Sequence, residues 1–158
     1  MHESFERIQQ EETLMIYTSY FAKIRDTPNN SICIAICAIV PSWWKGLTYD
    51  KVAPPLKLLQ AYKSDRDTDS YTQAYTSQVL DKTSPKRVLR EIFQLLPPGV
   101  QQNLKHETGG WWENPDYHVI LLCYEKSSDF CHRHLLSEWL TENGIEVKEW
   151  DNESVETK

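Results

Sequence analysis

Apolar residues recur along the chain with two different periods, and the change between them marks out its elements. Leu14-Met15-Ile16-Tyr17-Thr18 is a short apolar, β-branched run that ends in the turn-rich Arg25-Asp26-Thr27-Pro28-Asn29-Asn30, and it predicts a strand and a loop. Ser31 to Val40 is apolar at nearly every position, the pattern of a strand covered on both faces, and is expected to be central in its sheet. Pro41 ends it, and Trp43 and Trp44 fall in the loop beyond.

From Pro54 to Leu96 the period lengthens to that of a helix. Leu56, Leu59 and Tyr62 share one face, Tyr71, Tyr75 and Val79 a second, and Val88, Leu89, Ile92, Phe93 and Leu96 a third, so three helices follow one another. Ser84 and Pro85 form a start signal for the last, because serine caps a free amide and proline lacks the donor that a first turn cannot use. Pro97-Pro98-Gly99 predicts its stop, and Val100 to Asp116, with Trp111 and Trp112, reads as a long loop. Tyr117 to Tyr124 returns to a strand. Asp129 is the expected cap of a helix striped by Cys131, Leu135, Leu136, Trp139 and Leu140. Asn143-Gly144 closes that helix, and Ile145 to Trp150 is a last short strand.

Strands that alternate with helices require crossover connections, which favour a parallel sheet. The expected class is α/β: a mainly parallel sheet with helices on both faces, Rossmann-like in the loose sense, of unspecified strand order. Residues 14–150 form the single domain. Residues 1–13, with Phe5 and Ile8 at helical spacing, are a polar leading segment, and the acidic 151–158 is expected to be disordered.

With 158 residues, 40% hydrophobic and 25% charged, the composition is that of an ordinary globular domain. No apolar run is long enough to span a bilayer, and the acidic amino terminus is unlike a signal peptide. Cys33, Cys37, Cys123 and Cys131 lie in or beside apolar runs, which suits reduced, buried thiols and a cytoplasmic setting. A net charge of −6 excludes a global basic field for nucleic acid.

The chemistry-bearing residues concentrate between Cys123 and Arg133, where a strand hands over to a helix. In parallel sheets ligands bind beyond such strand ends. Arg133 could hold a phosphate or carboxylate, or form a salt bridge. Glu125 could act as a general base or grip a sugar hydroxyl pair, or remain a solvated carboxylate. His132 could exchange protons, or rest on a backbone carbonyl. Cys131, beside a helix start, His132 and Arg133, is expected to have a lowered pKa, although it also lies on the apolar stripe. Tyrosine phosphatases place a cysteine and an arginine similarly, but nine residues intervene here and none is glycine. No cofactor is expected. The alternative is zinc on Cys123, Cys131 and His132, with His118 or His134 as fourth ligand, although paired Cys-x2-Cys knuckles are absent.

Leu121-Leu122-Cys123-Tyr124-Glu125-Lys126 followed by Phe130-Cys131-His132-Arg133 resembles the signature of a microbial family catalogued as domain of unknown function 488. Ile16-Tyr17-Thr18-Ser19-Tyr20-Phe21, Pro41-Ser42-Trp43, Val52-Ala53-Pro54, Tyr62-Lys63 and the pair Tyr71 and Tyr75 keep the family's order. The resemblance implies a small cytoplasmic α/β protein of bacteria or phages, without a settled activity. It marks Thr18, Ser19, Lys63, Tyr71, Tyr75, Glu125, Cys131, His132 and Arg133. The stretch from Pro97 to Asp116 departs from the family's shorter connection.

The functional expectation is a domain that binds, and transforms, a small phosphorylated or nucleotide-like molecule. Glu125 and His132 would be catalytic, in a transferase or hydrolase acting on a glycosidic or phosphoester bond. Arg133, Cys131, Thr18, Ser19, Lys63, Tyr71 and Tyr75 would bind the ligand. The contrasting expectation is a non-catalytic protein-interaction module using Val100 to Asp116.

Overall fold

The computed structural model describes residues 16–27, 31–102, 118–125 and 129–150. The expected leading segment with Phe5 and Ile8, the loop residues Trp111 and Trp112, and the acidic tail lie outside the described residues, as do residues 28–30 and 126–128.

Five strands form one all-parallel sheet: β1 (Ile16–Tyr20), β2 (Ser31–Ala35), β3 (Leu47–Thr48), β4 (His118–Cys123) and β5 (Lys148–Glu149), in the order β3-β2-β4-β1-β5. The central strand is therefore β4, flanked by β1 and β2, and not the Ser31–Val40 run. Both runs are uniformly apolar, so pattern alone could not rank them. The second strand is also shorter than expected. It pairs with β4 as far as Ala35 opposite Leu122, Ile36 still donates to the Leu122 carbonyl at 2.9 Å, and β4 itself ends one residue later at Cys123. Beyond that point the apolar run has no partner to continue the ladder, and Ile39 is exposed.

Among the described residues, the α-helices with complete bounds are α1 (Leu56–Asp65), α2 (Thr68–Gln78), α3 (Pro85–Leu95) and α4 (His132–Glu142). Tyr71 and Tyr75 of α2, Val88, Leu89, Ile92 and Phe93 of α3, and Leu136 and Leu140 of α4 pack on Ile16, Ile34, Val119 and Leu121 of one sheet face. The opposite face carries Tyr17, Ala35, Ile120 and Leu122. It is covered by Phe21 and Ile24 of the 3-10 segment Phe21–Asp26, together with Trp44 and Trp150. Each fully buried aliphatic side chain contributes ~1.5–3 kcal/mol relative to exposure, so β4, buried from Val119 to Cys123, anchors both layers. No helix among the described residues is long and apolar enough to cross a membrane.

The capping signals act as read. Ser84 Oγ accepts from the Arg87 amide at 3.2 Å with Pro85 in the first turn, and Gly144 takes a φ of +89° after α4. The other α4 signal does not. Its cap position is Cys131 and not Asp129, because Phe130 packs against the Tyr62 and Tyr71 rings and Cys131 turns toward Cys123. These contacts hold Phe130 and Cys131 outside the helix, which begins at His132. After α3 the chain makes a further helical turn over 98–102, where a loop was expected.

Candidate metal centre

The site grows out of the sheet's connectivity. The chain leaving β1 turns into the 3-10 segment on one face, and the chain leaving the adjacent β4 turns into α4 on the other. Neighbouring strands whose exits diverge leave a crevice at their carboxyl ends, the position where parallel sheets build ligand sites. Cys123, the last residue of β4, and Cys131 and His132, at the start of α4, meet there.

All three side chains are buried, and one donor atom from each lies within 4.8 Å of the others. The sulfurs of Cys123 and Cys131 are 3.0 Å apart as free thiols, and His132 Nδ1 is 3.7 Å from the first and 3.8 Å from the second. His132 Nε2 is 2.9 Å from the Ile36 carbonyl oxygen, which can only accept. Nε2 therefore carries the hydrogen, and Nδ1 faces both sulfurs, where it presents a lone pair once the ring serves as a metal ligand. A backbone carbonyl that fixes the far nitrogen is the usual support of a metal-binding histidine. Tetrahedral zinc would space its ligands at about 3.6 Å for S to N and about 3.8 Å for S to S. The S to N spacings already match, and the sulfurs need to part once the S–H that links them is lost. Among the described residues, this is the grouping of histidine, cysteine and carboxylate donors able to hold a metal.

The fourth ligand anticipated from sequence is not there. His118 opens β4, at the opposite end from Cys123, with its ring tilted against those of Tyr17 and Trp150. His134 is not part of the grouping either. Glu125 borders it instead: its exposed carboxylate accepts from Cys123 Sγ at 3.5 Å. Cys37 packs in the same apolar cluster as the two thiols.

Arg133 is held by protein partners. It is fully buried, donates from Nε to Glu149 Oε1 at 3.2 Å and from a terminal nitrogen to Oε2 at 2.8 Å, and gives its other terminal nitrogen to the Glu125 carbonyl at 2.7 Å. Thr18 donates to the same Glu149 carboxylate at 2.7 Å, and the guanidinium lies over the Tyr20 ring. Burial is the largest single influence on the Arg133 pKa and lowers it, but the Glu149 carboxylate together with the neighbouring Cys131 and Cys123 raises it on balance, so the guanidinium stays charged. Glu149 was not singled out in the sequence. Its signal there is faint, a carboxylate inside a short strand beside a tryptophan.

The remaining expected residues divide between support and distance. Ser19 donates to the Trp150 carbonyl at 2.9 Å, and Tyr75 donates to the Val52 carbonyl at 2.7 Å with its ring 5.8 Å from the imidazole. Tyr71 stacks on Tyr75 and meets Phe130. Lys63 is exposed in the last turn of α1. The expected lowering of the Cys131 pKa is reversed: its hydrogen bond to Cys123 and its burial push the thiol up. Burial likewise raises Cys37 to about 11.

An aromatic rim stands beside the cluster. Tyr124 and Trp43 are exposed, and each meets Phe21 edge to face, at 5.2 and 5.7 Å between centroids. Trp44 is more constrained, with its indole N–H on the Leu47 carbonyl at 3.0 Å. Comparison with family models, with curated proteins and with solved structures finds no match to this chain.

Proposed function

We propose that Cys123, Cys131 and His132 form a zinc centre, and that the protein is a hydrolase of a small nucleotide-like molecule bound against Tyr124 and Trp43. One observation carries this reading: the imidazole is locked by Ile36 with its other nitrogen at ligand spacing from each of two sulfurs. Two thiolates and one imidazole suit zinc better than harder cations. Three protein ligands fall one short of a closed structural site, which is the arrangement of catalytic zinc.

When bound, zinc at such a site polarises a substrate oxygen and makes water acidic enough to attack near neutral pH. Glu125 is the residue able to take up a proton, since its carboxylate is exposed and borders Cys123. His132, with one nitrogen on Ile36 and the other on the thiols, serves as a ligand rather than as a proton carrier. Arg133 is a positioning residue that ties the Glu125 main chain to Glu149. The flat faces of Tyr124 and Trp43 suit stacking on a base, and the bond cleaved is glycosidic or phosphoester. Of the positions marked by the family resemblance, Cys131 and His132 belong to this cluster, Tyr75 lies beside the imidazole and Arg133 holds the Glu125 main chain, which supports the reading.

Elemental analysis of protein purified without chelator is expected to give zinc at near-stoichiometric levels, lost in Cys131→Ser and in His132→Ala. Wild-type protein with no metal above background, even after incubation with zinc, overturns the proposal.

A further inference from the structure

A cavity of about 330 Å³ opens beside β3 and shares none of its lining residues with the thiol cluster. One wall, Tyr49 and Lys51, directly follows β3. Lys82 and Thr83 supply a second, just before α3, and Arg87 and Glu91 from the first turns of α3 supply the third. The wall thus carries three cations and one carboxylate, on a chain whose net charge is −6. A local excess of positive charge in an acidic protein is opposite to what random placement gives.

The single carboxylate is already occupied. Tyr49 donates to Glu91 at 2.6 Å, while Lys51 at 3.5 Å and Arg87 at 3.4 Å share its second oxygen. Glu91 thereby holds the ends of Lys51 and Arg87 at the cavity without cancelling both charges. The guanidinium of Arg87 contacts Glu91 through Nε, which leaves its two terminal nitrogens to offer to a ligand. The Thr83 hydroxyl adds a donor on the same side.

We propose that this cavity binds a small phosphate-bearing anion, held between Lys51, Lys82 and Arg87. Arg133, which the sequence offered for such an anion, is neutralised by Glu149, whereas the cation excess lies here. Arginine and lysine that converge on a concave, partly apolar wall are the usual recognition of a phosphate group. The site is independent of the zinc reading and stands if that reading fails.

Titration calorimetry at low salt, on the full chain, separates the two sources of such a group. One arm uses inorganic phosphate and the other a nucleoside 5′-monophosphate, with the unphosphorylated nucleoside as control. At least one phosphate probe is expected to bind while the nucleoside does not, and a much tighter monophosphate identifies an organic phosphate as the ligand. Lys51→Ala and Lys82→Ala each remove an exposed side chain, so the fold is kept, and each is expected to weaken binding roughly tenfold. Glu91→Gln keeps an acceptor for Tyr49 but removes the opposing charge, and should strengthen binding several-fold. The proposal is overturned if neither phosphate probe binds, or if binding is indifferent to all three substitutions.

Discussion

Arg133→Met is expected to lose ~3–5 kcal/mol of folding free energy, seen as a lower urea midpoint at an unchanged slope. The loss is large because the guanidinium is fully buried and serves three acceptors at once: both oxygens of Glu149 and the Glu125 carbonyl. Removing it leaves a carboxylate whose side chain is only 20% exposed without its cation, with Thr18 still donating to it, and takes the guanidinium from a main-chain carbonyl at the mouth of the site. Against a total of about 5–15 kcal/mol for a typical domain, that is a substantial fraction. Arg133→Lys should recover little, since an ammonium cannot reproduce the bidentate fork. In Arg133→Met/Glu149→Leu the stranded charge is gone, so the double variant is expected to be more stable than Arg133→Met alone. A single variant within 1 kcal/mol of wild type would show that the pair is not integral to the fold.

Removal of the metal should have the second large effect. A ligand that binds only the folded chain adds stability in proportion to its excess over Kd, about 4 kcal/mol at a thousandfold excess. For a domain of this size that corresponds to a melting temperature about 10 °C higher with zinc than after chelation. Cys123→Ser should melt at the same temperature with and without zinc, because loss of one of three ligands leaves too few to hold the ion. Binding should also release protons, since both thiols enter as thiolates. Equal melting of zinc-loaded and chelated wild type would contradict the assignment.

Much of the architecture was legible because its signals are local. The helical period from Leu56 to Leu96, the Ser84-Pro85 start and the Asn143-Gly144 stop each depend on residues a few positions apart, and each appears in the structure. What escaped depends on partners far along the chain. The apolar run from Ser31 continues past Ala35, yet the strand stops where β4 runs out, and the central place of β4 is fixed only by pairing. Leu47–Thr48, two residues in a loop rich in tryptophan, has too little pattern to be read as a strand.

The candidate site divides along the same line. Cys123, Glu125, Cys131, His132 and Arg133 stand close in sequence, so their gathering at one strand end could be anticipated. Their directions could not. Arg133 is claimed by Glu149 from β5, and His132 by the Ile36 carbonyl just past β2. These two long-range contacts turn a segment that suggested anion binding and proton transfer into one better suited to holding a metal. Cys131 shows the same shift: a helix start lowers a thiol pKa, but a neighbouring sulfur 3.0 Å away and burial outweigh it.

X-ray absorption at the zinc edge of the loaded protein tests the central claim most directly. The account predicts a first shell with two sulfurs at about 2.3 Å and one nitrogen at about 2.0 Å. A shell of nitrogen and oxygen alone would contradict it, as would protein that takes up no zinc and shows, by intact mass, a Cys123–Cys131 disulfide in its place.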